Sequence, residues 1–112
     1  MPDEFAVWVR EALDSLPPEL AERVDNVEVG IADEEPGRPN LLGQYNGIPL
    51  TRRTPGYVFV LPDRIMIYRR PLERLYGHDP NLLREQVHHV VLHEVAHHFG
   101  ISDERLKEIG RY

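Results

Sequence analysis

Between Phe5 and Leu16 the apolar residues Phe5, Val7, Trp8, Val9, Ala12, Leu13 and Leu16 recur at helical spacing, and the run stops before Pro17 and Pro18. The next stretch, "PELAERVDN" (18–26), predicts a second short helix with Pro18 in its first turn, where the missing N–H costs nothing. In "VEVGIAD" (27–33) the period changes. Val27, Val29 and Ile31 alternate with their neighbours, the mark of a half-buried strand. Residues 34–56 carry Gly and Pro throughout and predict a long loop, a kind of segment that in a small domain is functional or mobile. "YVFVL" (57–61) and "RIMIYR" (64–69) read as two short strands or one bent ribbon, and "PLERLYG" (71–77) as a helical turn. No proline follows Pro80, so the last third is free to be helical. There "DPNLLREQVHHVVLHEVAHHFG" (79–100) has a helix signature at both ends: Asp79 as N-cap, Pro80 at the first position, and Gly100 as the left-handed residue beyond the C-terminus. "SDERLKEIG" (102–110) restarts a helix with Ser102 as its cap.

Composition narrows the setting. At 112 residues, residues 1–112 are expected to form one domain, with 41% hydrophobic and 29% charged residues in the ordinary globular range. There are no cysteines, which removes disulfides and thiolate metal sites and fits a reducing compartment. The start lacks the charged and apolar regions of a secretory signal, and no apolar run is long enough to cross a bilayer. A soluble, cytoplasmic protein with no membrane association is the expectation. The net charge of −6 is uneven: residues 1–36 carry eleven acids against two arginines, and residues 37–74 seven arginines against two acids. With a pI near 5.4 the basic middle is not expected to bind nucleic acid; it is expected to pair with an acidic neighbour such as the N-terminal helices.

Five of the six histidines (His88, His89, His93, His97, His98) fall in 88–98. Advancing about 100° per residue puts His89, His93, Glu94 and His97 on one face of the helix, with Val91, Leu92, Val95 and Phe99 behind them. That front lacks the Lys and Arg of a solvated face. His93 and His97 sit one turn apart, so both imidazoles reach one ion, and Glu94 reaches a water on it. His89 lies about 12 Å along the axis from His97, too far to share that ion; it is expected to support the site or wall a cleft. A third ligand must come from beyond Gly100, where the chain can fold Asp103 back over the pair. Asp103 also suits the first turn of a new helix, and Glu104 is the next carboxylate available. His88 and His98 fall on the apolar side, as hydrogen-bonded structural histidines, and His78 in a loop.

The spacing His93-Glu94-x-x-His97-x-x-Gly100-x-x-Asp103 resembles that of the zincin metallopeptidases, whose metzincin branch carries HExxHxxGxxH. Aspartate in the last place is similar to the Asp-type zincins. The short chain, the motif near its C-terminus and "LPDRIMIYRRPLER" (61–74) also resemble small bacterial minimal zincin-like metallopeptidases. The eleven-residue motif is the specific part of the likeness. It implies zinc held by His93, His97 and Asp103, with Glu94 as general base in peptide hydrolysis. It implies an α+β, zincin-like fold: a small mixed sheet, the metal-binding active-site helix packed on it, and further helices at the N- and C-termini. One departure is clear. Metzincins place a Met-turn beneath the metal, and no Met follows Asp103; Tyr112 is the candidate to support the site instead.

The expected partner is a peptide or protein substrate, and an apolar N-terminal helix on so small a body allows a homodimer. The competing reading is a catalytically inactive zincin-like module that acts as a protein-binding or regulatory domain. Glu94 separates the two, because a closed structural metal site has no use for a base beside the water. "RIMIYRR" is open to two readings as well: a sheet edge on which an extended peptide pairs, or an ordinary strand of the sheet.

Overall fold

The computed structural model describes residues 3–24, 27–47, 63–102 and 104. Helix α1 (Glu4–Asp14) starts where the Asp3 carboxylate accepts the Phe5 N–H, and it buries Phe5, Val9 and Ala12. The spacing of those three puts them on one stripe, while Val7 points to solvent. Pro17 and Pro18 end this helix and open α2 (Pro18–Ala21), which tightens into a 3₁₀ turn over Glu22–Val24.

Among the described residues three strands follow: β1 (Val27–Ala32), β2 (Gly43–Asn46) and β3 (Asp63–Tyr68). The sheet order is β1-β3-β2, with β1 parallel and β2 antiparallel to β3. It is the mixed sheet expected. Strand β3 alternates, with Ile65 and Ile67 fully buried and Arg64 exposed between its neighbours. One sequence expectation changes here and one open alternative closes. The stretch 34–56 contains a strand, β2, because Gly43–Asn46 finds its ladder partners in β3, which no local signal announces. "RIMIYRR" is no edge: β3 lies between two strands, and its Arg69 and Arg70 already begin helix α3 (Arg69–Tyr76). Among the described residues the edge beside the last helix is β2. "YVFVL" lies outside the described residues.

Helix α4 (Pro80–His98) is the hub, touching α1, α3, β2 and β3. Its Leu83, Val87, Val90, Val91 and Val95 join Phe5, Val9 and Ala12 of α1, Ile65 and Ile67 of β3, and Leu72 of α3 in one core. The Asp79 side chain accepts the N–H groups of Asn81 and Leu82, so the N-cap read from the sequence is realised. At the far end Ile101 N–H reaches the Ala96 carbonyl (3.0 Å) and Gly100 N–H the His97 carbonyl (2.9 Å), with Gly100 at φ 82°. This is a Schellman turn, which needs a residue free of Cβ strain at Gly100. Leu92, assigned to the apolar back by its angle, is 39% exposed, because the core stops short of that flank.

The arginine-rich middle pairs with the acidic N-terminal third. Arg64 meets Glu28 (3.2 Å), Arg70 meets Asp33 (3.9 Å), Arg74 meets Glu34 (3.9 Å), and Arg69 forks onto Asp3. Only Asp3, the N-cap of α1, stands at an N-terminal helix; the other acids lie on β1 or just after it. The Arg69 guanidinium beside Asp3 holds that carboxyl below the usual range, and it also stacks 5.2 Å from the Phe5 ring centroid.

Candidate metal centre

The motif residues lie on the last two turns of α4. Consecutive turns bring His93 and His97 together, their rings meeting edge to face with centroids 4.7 Å apart. Between them Glu94 is 6% exposed, and its Oε1 lies 3.2 Å from His97 Nδ1. One donor atom from each of His93, Glu94 and His97 falls within 4.8 Å of the other two. Two zinc–nitrogen bonds of about 2.1 Å at a tetrahedral angle set donors roughly 3.4 Å apart, a spacing within reach of the His93 and His97 ring nitrogens.

Glu94 is buried because β2 covers it. A Cβ built on Gly43 would stand 3.3 Å from Glu94 Cγ and 2.7 Å from Val90 Cγ1. Glycine at this position lets the edge strand come down onto the helix beside the carboxylate. Strand and helix together bound a groove of about 530 Å³. His93, Glu94, His97 and exposed His89 lie along one side; Leu41, Leu42, Gln44 and Arg38 belong to the other. His89 and His93 have ring centroids 6.1 Å apart, so the imidazole row continues along the groove wall away from the pair.

The two remaining histidines of the cluster point elsewhere, as their angles on the helix predict. His98, 2% exposed, places Nδ1 2.8 Å from Asp63 Oδ2. The Tyr45 hydroxyl donates to the same oxygen at 2.6 Å. This buried group joins the start of β3, the edge strand β2 and the residue after His97. Sequence reasoning identified His98 as structural but missed Asp63 and Tyr45, which stand 35 and 53 positions away and share no periodicity with it. His88 Nε2 approaches Glu11 Oε2 at 3.3 Å, within ion-pair range but out of alignment for a hydrogen bond. His78 is exposed in the turn after α3. Asp103 and Tyr112, expected as third ligand and supporting residue, lie outside the described residues, as does most of the C-terminal helix read from 102–110.

The other side of the groove is a strap, residues 33–42, tied at several points. Arg70 N–H bonds the Asp33 carbonyl (2.9 Å), Tyr68 N–H the Leu42 carbonyl (3.0 Å), and the Arg74 guanidinium the Pro39 carbonyl (2.6 Å). The buried Tyr68 hydroxyl donates to Glu35 Oε2 at 2.6 Å and lies 3.0 Å from Gln44 Oε1. Burial, then the Glu35 carboxylate, push this phenol up to about 12.

An α+β fold whose longest described helix presents His, Glu and His at metal-ligand spacing to an open groove has the architecture of the zincin class. The comparison with known families makes this specific: the family model for zincin-like metallopeptidases matches residues 22–111, and the chain belongs to that family. No curated protein matches the chain. Among the described residues no helix is long and apolar enough to cross a membrane.

Proposed function

We propose that the protein is a zinc-dependent peptidase in which His93, His97 and Asp103 hold the metal and Glu94 is the general base. The observation that carries this reading is the convergence of His93, Glu94 and His97 on one side of an open groove. Family membership agrees with it. Zinc in such a site supplies a water acidified towards a pKa of about 7 and polarises the carbonyl under attack. Glu94 takes the proton from the attacking water and delivers it to the leaving amine. Its cover by β2 fixes the carboxylate in place, because a buried side chain between helix and strand has few rotamers open to it. His89, further along the groove, meets substrate or supports the site. Support for Asp103 comes from the Gly100 turn, which ends α4 three residues before it. Tyr112 is retained as the group that could stand in for a Met-turn.

The substrate is an extended peptide or unfolded segment, laid along β2, whose outer edge has no partner among the described residues. A body without cysteine suits a reducing compartment such as the cytoplasm. The test uses untagged protein. Wild type is expected to carry stoichiometric zinc and to cleave members of a peptide library. Glu94→Gln should keep the zinc and lose about 10²- to 10⁴-fold in turnover; His93→Ala should lose both. Full turnover by the Glu94 variant sinks the assignment of the base, and zinc content untouched in His93→Ala sinks the site. Stoichiometric zinc with no cleavage of any peptide would favour the binding module.

A further inference from the structure

Six arginines with described side chains, Arg10, Arg64, Arg69, Arg70, Arg74 and Arg84, each have a carboxylate oxygen within 4.0 Å. Arg38 has none among the described residues, although the chain as a whole carries an excess of acids, with net charge −6. Its position is held. Pro36 and Gly37, the latter at φ 79°, form a tight turn closed by Arg38 N–H on the Glu35 carbonyl at 3.0 Å. The Arg38 carbonyl in turn accepts from Leu41 N–H at 3.1 Å. The Glu35 carboxylate beside that turn is occupied by the Tyr68 hydroxyl. The backbone of Arg38 is thus fixed on an anchored strap, and Arg38 lines the same groove as His93, Glu94 and His97.

We infer that Arg38 is a specificity residue that binds a carboxylate of the peptide lying in the groove. A guanidinium offers a planar pair of N–H donors that matches a carboxylate, and here none is already engaged by one. The carboxylate comes either from an acidic side chain, which makes the enzyme an endopeptidase with an acidic subsite, or from the peptide's own C-terminus, which makes it a carboxypeptidase. The inference rests on the peptidase reading, and binding measured apart from turnover separates the two.

The probes are synthetic peptides identical except for Glu against Gln at one position, or for a free against an amidated C-terminus. Binding to zinc-loaded Glu94→Gln protein is followed by fluorescence anisotropy at about 0.15 M salt. There the Debye length of roughly 8 Å screens the protein's overall negative charge but not a direct contact. One arm is expected to show a carboxylate preference of about five- to tenfold, as for a partly exposed charged hydrogen bond. Arg38→Gln should remove the preference, and Arg38→Glu should turn it towards a Lys-bearing peptide; equal zinc content in all variants excludes a folding defect. Equal affinities in both arms, or a preference that survives Arg38→Gln, overturns the inference. Cleavage by wild type without any carboxylate preference leaves the peptidase standing and removes Arg38 from it. A preference in binding with no cleavage by wild type does the reverse.

Discussion

Glu94 shows how far a single residue can be read from its position. Its angle on α4 places it beside His93 and His97, and the coordinates agree. That angle does not reveal that the residue is 6% exposed, because its cover comes from Gly43, on a different element. Tyr68 makes the same point with a measurable consequence. Its phenol is raised to about 12 by burial and by Glu35, above the value of about 10 for an exposed tyrosine. The neutral form is therefore the one the fold favours. The stability that follows is whole below pH 10 or so, and is lost as pH rises through the folded value, to a total of about 3 kcal/mol. Absorbance titration should find one of the five tyrosines ionising near pH 12, and Tyr68→Phe should delete that component. A Tyr68→Phe protein with an unchanged alkaline titration would show that the strap is not held through this hydroxyl.

At the scale of elements the close approach of β2 to α4 decides whether there is a site at all. Gly43→Ala would place a methyl group 2.7 Å from Val90 Cγ1 and 3.3 Å from the Met66 carbonyl oxygen. Val90 is stiff at χ1 and Met66 offers backbone, so the strand must lift. We expect a loss of about 1–3 kcal/mol in urea unfolding and, with the cover over Glu94 disturbed, a fall in turnover that exceeds any loss of zinc. Unchanged stability and activity would mean that β2 does not seat as described. Helices were the more legible elements. Asp79, Pro80 and Gly100 mark the ends of α4 through caps made within a few residues. The limits of α1 were as plain, set by its apolar stripe and by Pro17 and Pro18. Strand β2 escaped notice because four residues within a Gly- and Pro-rich stretch carry too short a pattern to show period two.

For the whole molecule, metal binding is also a statement about stability. A chain of 112 residues closes a modest core, and an ion held only by the folded form adds RT ln(1 + [L]/Kd) to its stability. With zinc at one hundred times Kd this is about 2.7 kcal/mol, enough to raise Tm by roughly 10 °C. Differential scanning calorimetry should show that rise on adding zinc to chelated wild type and none in His93→Ala; equal shifts in both would place the ion elsewhere. The sequence by itself determined the histidine-bearing helix α4, its caps, the spacing of His93, Glu94 and His97, and the separate role of His98, since 3.6-residue periodicity and capping act over one or two turns. Tertiary structure alone decided the sheet order, the pairing of His98 with Asp63 and Tyr45, the cover over Glu94 and the seat of Arg38 on the groove. Each depends on which distant segments lie side by side, and a local pattern of polar and apolar residues says which face is buried without saying what buries it.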